Sequence, residues 1–165
     1  QFDVRLHSHL AETLDAEEFC LSKFGLRPLD YLESVGWLGP QTWLGHGIHF
    51  NDAEIRQLGA AGTAVAHCAT SNMRLSSGIA RVLELEAAGV PVGLGVDGSA
   101  SNDGSNMILE ARQALYLQRL RYGADVPVER ALGWATEGSA KVLGRTDIGT
   151  MATSADSSSS WRPSK

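Results

Sequence analysis

Hydrophobic and polar residues follow a pattern along this chain that predicts short strands, each followed by amphipathic helices. Apolar runs with a period of two are typical of strands, and apolar positions three or four apart are typical of helices. The strand-like runs are residues 2–9, 42–46, 63–67 and 90–97. The helical patterns are residues 15–24, 28–35, 52–61, 79–88, 106–121 and 128–143. The chain therefore reads as four strand-then-helix units.

This order predicts an α/β fold with a parallel sheet, because parallel strands need crossover connections that are usually helical. In the last strand, valine and leucine occupy one face and Gly93, Gly95 and Asp97 the other. In the first strand, His7 and His9 share a face. A doubly wound sheet is apolar on both faces, whereas polar groups at the strand ends of one face suit a barrel interior. We expect residues 1–150 to form half of a TIM-type (β/α)8 barrel.

Composition and charge narrow the classes of function. The chain has 165 residues, 43% of them hydrophobic, and a net charge of −5. It has no cluster of Lys and Arg for nucleic acid and no apolar run long enough to span a membrane, so we expect neither partner. Cys20 and Cys68 lie far apart and predict no disulfide framework, which favours a cytoplasmic location.

The two ends of the sequence differ from its middle. The chain begins with Gln1 and enters a strand-like run at once, from which we expect further sequence upstream. Residues 151–165 are rich in serine and have no periodicity, which is typical of disorder. We expect them to form a disordered or aberrant tail outside the folded unit.

The polar residues with chemical potential gather at the ends of the predicted strands. All the histidines lie at or just past a strand end: His7, His9, His46, His49 and His67. Asp97 ends the last strand in the same way. Parallel α/β folds place functional groups at the carboxyl ends of their strands, and imidazole and carboxylate are zinc ligands. The pattern therefore favours a metal-dependent active site at this edge.

Individual positions suggest individual roles. Glu12 follows the first strand, where a carboxylate can move a proton between water and substrate. His46 lies between two glycines, which allow a substrate or metal to approach closely. Ser71 and Asn72 follow His67 and either contact a ligand or cap their loop. We interpret His49 as a loop or helix-cap residue and Cys68 as a buried apolar residue.

A dinucleotide-binding alternative rests on the run Gly93–Gly98, which matches G-x-G-x-x-G. That fingerprint requires a helix opening at the last glycine and an acidic residue about 20 positions on. Here residues 99–105 intervene before the helix, and Leu117 and Gln118 are not acidic. The glycines are better explained as small residues that leave space beside Asp97. Measured binding of a dinucleotide would be needed to support the alternative.

Four motifs in order resemble the amidohydrolase superfamily. They are His-Ser-His-Leu-Ala-Glu-Thr at 7–13, Gly-His-Gly-Ile-His at 45–49, Ala-His-Cys-x-x-Ser-Asn-Met-Arg-Leu-x-Ser-Gly at 66–78, and Gly-Leu-Gly-Val-Asp-Gly-Ser-Ala-Ser-Asn-Asp at 93–103. They are similar in particular to the aminohydrolase branch that includes guanine deaminase, hydroxyatrazine ethylaminohydrolase and 8-oxoguanine deaminase. The resemblance covers roughly residues 1–150 and is greatest to the 8-oxoguanine deaminases.

The resemblance implies a set of roles. One divalent metal, usually zinc with Fe2+ as the alternative, would be held by His9 on the fifth barrel strand and Asp97 on the eighth. Glu12 would be the proton shuttle, and His46, with Asp97, would orient the attacking water and accept its proton. We assign His67 and Asn72 to substrate binding. The family's first-strand H-x-H pair would lie upstream, so that this chain supplies strands five to eight and only two of four ligands.

The implied reaction is hydrolytic deamination of a purine-like heterocycle by the complete parent protein. We expect 8-oxoguanine to give urate and ammonia, with guanine, isoxanthopterin or a hydroxy-triazine as alternative substrates. A different hypothesis is that this chain alone is inactive because the first-strand ligands are missing. The expected partner is a small purine-like molecule, and a homo-oligomer of the parent stays open.

Overall fold

Four parallel strands form one sheet in the order in which they occur along the chain. They are β1 (Leu6–Leu10), β2 (Thr42–His46), β3 (Ala64–His67) and β4 (Val92–Leu94). The computed structural model describes residues 4–150. The predicted tail of residues 151–165, and the first two residues of the predicted strand 2–9, lie outside the described residues. The α/β class and the parallel sheet are confirmed.

The connections between and after the strands are helical. The helices are α1 (Leu14–Phe24), α2 (Pro28–Ser34), α3 (Asp52–Ala61), α4 (Ala69–Arg74), α5 (Val82–Ala87), α6 (Met107–Tyr122), α7 (Val128–Gly133) and α8 (Ser139–Val142). A π-helical turn, Trp134–Gly138, joins the last two. Among residues 4–150, no helix combines the length and the apolar character that a bilayer span requires.

Several predicted elements needed correction: among the described residues β1 begins only at Leu6, and α5 is shorter than the predicted helix 79–88. The fourth strand is limited to β4, and Asp97, three residues beyond its end, has a left-handed φ of 62°. The segment read as a polar loop after the third strand forms α4, which packs against α6. The single helix predicted for residues 128–143 is interrupted by the π-helical turn, whose Gly138 lies directly against the backbone of Val92.

Local sequence explains where the best-predicted helix begins and ends. The side chain of Asn51 accepts hydrogen bonds from the backbone N–H groups of Ala53 and Glu54, and the Glu54 side chain accepts from the Asn51 N–H. This reciprocal arrangement satisfies N–H groups that a helix start leaves without partners. Gly62 ends α3 with a left-handed φ of 70°.

The two faces of the sheet are packed differently. Leu44, Val65 and Val92 lie in register on one face and belong to the main hydrophobic core. On the opposite face Val142 of α8 packs against Ala64 and Ala66 of β3. The helical cover on this second face leaves the end of the sheet that carries the strand carboxyl termini open as a cleft.

One close helix contact gives a stability prediction. A Cβ atom added at Gly59 in α3 would lie directly against the carbonyl oxygen of Ala88. We expect Gly59→Ala to lower the free energy of unfolding by about 1–3 kcal/mol, the usual range for overpacking. Gly133→Ala is the matched control, because no described atom beyond its chain neighbours and its own helix backbone lies within 4 Å of its added Cβ. That variant should be neutral or more stable by urea unfolding, since Ala favours helix; equal effects at both sites would contradict the packing argument.

Candidate active site

Four groups from three strand ends converge at the carboxyl edge of the sheet. The Nε2 atom of His46 lies 3.2 Å from His9 Nδ1, 3.6 Å from Glu12 Oε2 and 3.9 Å from Asp97 Oδ2. The Nε2 atom of His9 lies 3.8 Å from Asp97 Oδ1. The structure therefore brings together the four residues that the sequence singled out for metal binding and catalysis.

Unusual backbone conformations produce this convergence. Ala11, His46 and Asp97 have φ angles of 52°, 69° and 62°, in the left-handed region that residues other than glycine seldom adopt. Each follows or ends a strand, so the turn redirects the chain at the edge of the site. Such strain costs on the order of 1–3 kcal/mol per residue and concentrates at functional sites.

A chain of hydrogen bonds fixes the orientation of both imidazoles. The Oδ1 atom of Asn72 can only accept, so Nδ1 of the fully buried His46 donates to it over 2.8 Å. When both rings are neutral, His46 Nε2 therefore accepts from His9 Nδ1. His9 Nε2 is left with a free lone pair that faces Asp97. Metal-ligating histidines usually donate their second ring N–H in this way.

Asp97 is held by two serine hydroxyl groups. Ser71 and Ser101 donate to its Oδ2 atom over 2.7 and 3.0 Å. Partial burial opposes ionisation, but the Ser71 bond, the Gly98 backbone N–H and the Ser101 bond outweigh it and lower the pKa of Asp97. The carboxylate is therefore ionised at neutral pH, with Oδ1 turned towards His9.

Glu12 is more exposed than Asp97, the other carboxylate of the group. Its side chain is 25% exposed, and its Oε1 atom accepts a 3.4 Å hydrogen bond from the Ser77 hydroxyl. His49 contacts the carbonyl oxygen of Ser77 through Nε2 over 3.0 Å. His49 therefore supports the loop that reaches Glu12, in agreement with its interpretation as a loop residue.

His67 and Asn72, assigned to substrate binding, are both buried. Neither ring nitrogen of His67 has a hydrogen-bond partner among the described residues, and the side chain has no exposed surface. Asn72 is equally buried and contacts His46. Their contact with substrate stays a prediction. In this structure both side chains are buried, so an influence on a ligand would pass through neighbouring residues.

The burial of His67 predicts a pH-dependent stability. Burial lowers its pKa from 6.5 to about 4, and the neighbouring His46 adds to the effect. Between these values the unfolded chain binds a proton that the folded chain does not, so the free energy of unfolding falls as the pH falls. The contribution of neutral His67 to the free energy of unfolding is fully present above the pKa that His67 has in the unfolded chain. On the order of 3 kcal/mol of it is lost by about pH 4.

Urea unfolding of the protein and of His67→Leu at about pH 7 and about pH 4 checks this prediction. We expect the variant to lose less stability on acidification than the wild type. Identical losses would show that His67 is not the group that binds the proton on unfolding.

A cleft of about 330 Å3 opens beside the convergent groups, on the face of the sheet that carries small residues. It is lined by His7, His9, Trp43, Gly45, Ala66, Cys68, Gly95, Val96 and Asp97. The ring of His7 stacks on Trp43 with centroids 3.5 Å apart. A Cβ atom at Gly45 would lie 3.2 Å from the His9 ring, so this glycine leaves room for the imidazole.

The prediction for Cys68 can be checked against burial. Cys68 is buried and free, as predicted for a small apolar residue, and burial raises the pKa of its thiol to about 12. Trp43, Ser77 and Ser101 were missed from the sequence. Trp43 shares a strand face with Gly45, a signal that was available; the serine contacts depend on loop packing.

The donor atoms fit a zinc ion. His9, Glu12 and His46 each present a ligand atom, and these atoms lie within 4.8 Å of one another. Zinc binds imidazole nitrogen and carboxylate oxygen at about 2.0–2.2 Å, which in a tetrahedral site separates two ligand atoms by roughly 3.4 Å. The 3.8 Å between His9 Nε2 and Asp97 Oδ1 is close to that separation. These two atoms also lack competing strong partners among the described residues.

Comparisons with known proteins identify the family of this chain. The sequence profile of the amidohydrolase family matches residues 1–156. The 8-oxoguanine deaminase of Pseudomonas aeruginosa is 74% identical over 151 residues, covering 91% of this chain and 34% of that protein. An isoxanthopterin deaminase from an unknown prokaryotic organism is 36% identical over 165 residues, covering 90% of this chain and 34% of that protein.

One solved structure is also similar to this chain over most of its length. The atrazine chlorohydrolase of Arthrobacter aurescens, complexed with zinc, superposes with a TM-score of 0.83 at 38% identity, over 90% of this chain and 33% of that one. This chain thus spans about a third of the length of the curated relatives that it matches.

Proposed function

Because the chain belongs to the amidohydrolase family, we propose that the complete protein of which it forms part is a zinc-dependent aminohydrolase acting on a purine-like heterocycle. The proposed substrate is 8-oxoguanine, which would give urate and ammonia. The observation that carries the proposal is the convergence of His9, Glu12, His46 and Asp97 at one strand edge. The high identity to a relative named 8-oxoguanine deaminase supports the choice of substrate.

The proposed architecture is the second half of a (β/α)8 barrel, with β1 to β4 as its fifth to eighth strands. Within residues 4–150, β1 and β4 each pair on one side only, so both edges of the sheet can accept a further strand. The polar strand ends surround one face, as in a barrel mouth. The remaining four strands would carry the H-x-H pair that completes the metal site.

His9 and Asp97 are the proposed metal ligands of this chain. The free lone pair of His9 Nε2 faces Asp97 Oδ1, while Asp97 Oδ2 is already occupied by two hydroxyl groups. When bound, zinc supplies Lewis-acid chemistry and makes ionisation of water accessible near neutral pH. The zinc-bound relative favours zinc over Fe2+.

The side chains of this chain divide the proton transfers. The ionised carboxylate of Asp97 accepts a proton from the attacking water, and His46 orients that water through Nε2. The water oxygen bonds to the ring carbon that bears the exocyclic amine. Glu12 carries the other proton of the water to a ring nitrogen, and the proton that Asp97 accepted passes to the departing amine, so that the C–N bond breaks and ammonia leaves. His67 and Asn72 act on the substrate indirectly, because Asn72 fixes the His46 ring.

The test is ammonia release by the complete, zinc-loaded protein with 8-oxoguanine, guanine, isoxanthopterin and a hydroxy-triazine side by side. We expect turnover of 8-oxoguanine well above that of the others. Preference for another compound would retain the chemistry and change the substrate. No ammonia release from any of the four compounds by the zinc-bound protein would reject the proposed activity.

The alternative substrates have specific support. A pterin is favoured by the 36% identity to isoxanthopterin deaminase, and a triazine by the match to atrazine chlorohydrolase. Both relatives are less similar in sequence than the 8-oxoguanine deaminase, which is why they take second place.

The chain by itself is proposed to be inactive, because its described residues supply only two of the expected ligands. Its sheet edges are open, and Ile108 and Leu120 on α6 are 71% and 75% exposed. Open edges and exposed apolar side chains favour association over autonomous folding. A thermal melt of the isolated chain by circular dichroism tests this: a cooperative transition at low concentration would show an autonomous domain.

A further inference from the structure

A buried carboxyl group outside the four convergent residues joins the two loops that hold Asp97. Glu110, in the first turn of α6, is 1% exposed. Its Oε1 atom accepts from the backbone N–H of Thr70 and its Oε2 atom from the side-chain amide of Asn102, each over 3.0 Å. One bond reaches the segment after β3 and the other the loop after β4.

Both partners of Glu110 are sequence neighbours of the hydroxyl donors to Asp97. Thr70 precedes Ser71, and Asn102 follows Ser101, and both serines donate to Asp97 Oδ2. A side chain cannot move far from its adjacent backbone. The position of the Glu110 carboxyl group therefore sets the distance between the two serine hydroxyl groups. These hydroxyl groups bind the Asp97 carboxylate from different loops.

We propose that Glu110 is a positioning residue for the metal site, acting through Thr70 and Asn102 to keep Asp97 Oδ1 turned towards His9. The inference rests on the proposed function, in which Asp97 is a metal ligand. It gives Glu110 a role in metal affinity that neither its helix nor its burial would otherwise require.

The backbone conformation around Asp97 explains why the hydrogen bonds of Glu110 are needed. Asp97 and Ser105, on either side of the loop, have φ angles of 62° and 39°, both in the costly left-handed region. Strained residues persist only where surrounding contacts over-determine them. Without the Glu110 bonds the loop is free to relax, and the Ser101 contact is lost with it.

A purely structural role makes a different prediction. The Thr70 N–H lies in the first turn of α4, where N–H groups lack intrahelical partners, so Glu110 also caps that helix. A cap alone would contribute to stability without affecting the metal. Zinc affinity of the folded complete protein separates the two roles.

The experiment compares Glu110→Ala with Glu54→Ala in the complete protein, with zinc affinity measured by competition with a chromophoric chelator. Glu54 is the matched control, because it is 4% exposed and accepts several hydrogen bonds, but its partners are Arg27 and Asn51. We expect Glu110→Ala to weaken zinc binding by about 10-fold, the lower end of the range for outer partners of metal ligands. Glu54→Ala should lose stability and keep its zinc affinity.

Two further variants make the result unambiguous. Glu110→Gln keeps an oxygen for Thr70, and Asn102 can turn its amide to restore the second bond, so this variant should bind zinc nearly as tightly as wild type. If Glu110→Ala does not fold, Asn102→Ala replaces it with the same expected loss. Wild-type zinc affinity in the folded Ala variant, or an equal loss in Glu54→Ala, would overturn the inference.

Asp97→Ala separates the inference from its premise. If this variant loses zinc but Glu110→Ala does not, the inference alone fails. If Asp97→Ala binds zinc like the wild type, Asp97 is not a ligand, and the proposed metal site and the inference are both overturned.

Discussion

Glu12→Gln in the complete protein should lower the rate of ammonia release by at least ~10²-fold while leaving the bound zinc unchanged. Gln keeps the size and polarity of the side chain but cannot release or take up a proton. In the structure Glu12 is partly exposed, and within residues 4–150 its polar contacts are the 3.4 Å Ser77 bond and the 3.6 Å approach of His46. It is free to exchange protons with a substrate in the cleft.

Activity and zinc content measured together distinguish two roles for Glu12, since its carboxylate is also within ligand range of His9 and His46. Loss of activity with full zinc indicates proton transfer, and loss of both indicates a metal ligand. Glu18→Gln, at an exposed position of α1, is the control and should behave as wild type. A near-normal rate in Glu12→Gln would remove Glu12 from the mechanism.

His9→Ala is expected to abolish tight zinc binding in the complete protein, whereas His7→Ala keeps it. Only His9 directs a free ring nitrogen at Asp97, 3.8 Å away. His7 lies two residues earlier on the same strand face but stacks on Trp43 and contacts its carbonyl oxygen. Since losing an outer partner of a ligand costs about 10–100-fold in affinity, losing the ligand itself should cost more.

The pair of variants is matched in residue type, strand and face, so an effect on general stability should appear in both. Zinc content after dialysis against a weak chelator measures the outcome. Retention of zinc by His9→Ala would refute the assignment of His9 as a ligand. Loss of zinc from His7→Ala would show that the H-x-H pair of this strand binds metal jointly.

The outline of the fold was accessible from the sequence because it depends on local patterns. The predicted bounds of β2 and α3 agree with the structure, although the capping box that starts α3, formed by Asn51 and Glu54, was recognised only in the structure. The four convergent groups were also found in advance. They share a property that the sequence displays directly, which is their position at or just beyond the end of a predicted parallel strand.

What only the tertiary structure decided is how the loops beyond those strands meet. α4 forms in a segment with no helical periodicity and packs on α6, and the fourth strand ends at Leu94, three residues before the left-handed turn at Asp97. The bonds that orient the site join residues far apart in sequence: Ser77 to Glu12 spans 65 residues and Glu110 to Thr70 spans 40. Local periodicity carries no information about such pairs, since their contact depends on strained turns and on the packing of separate helices.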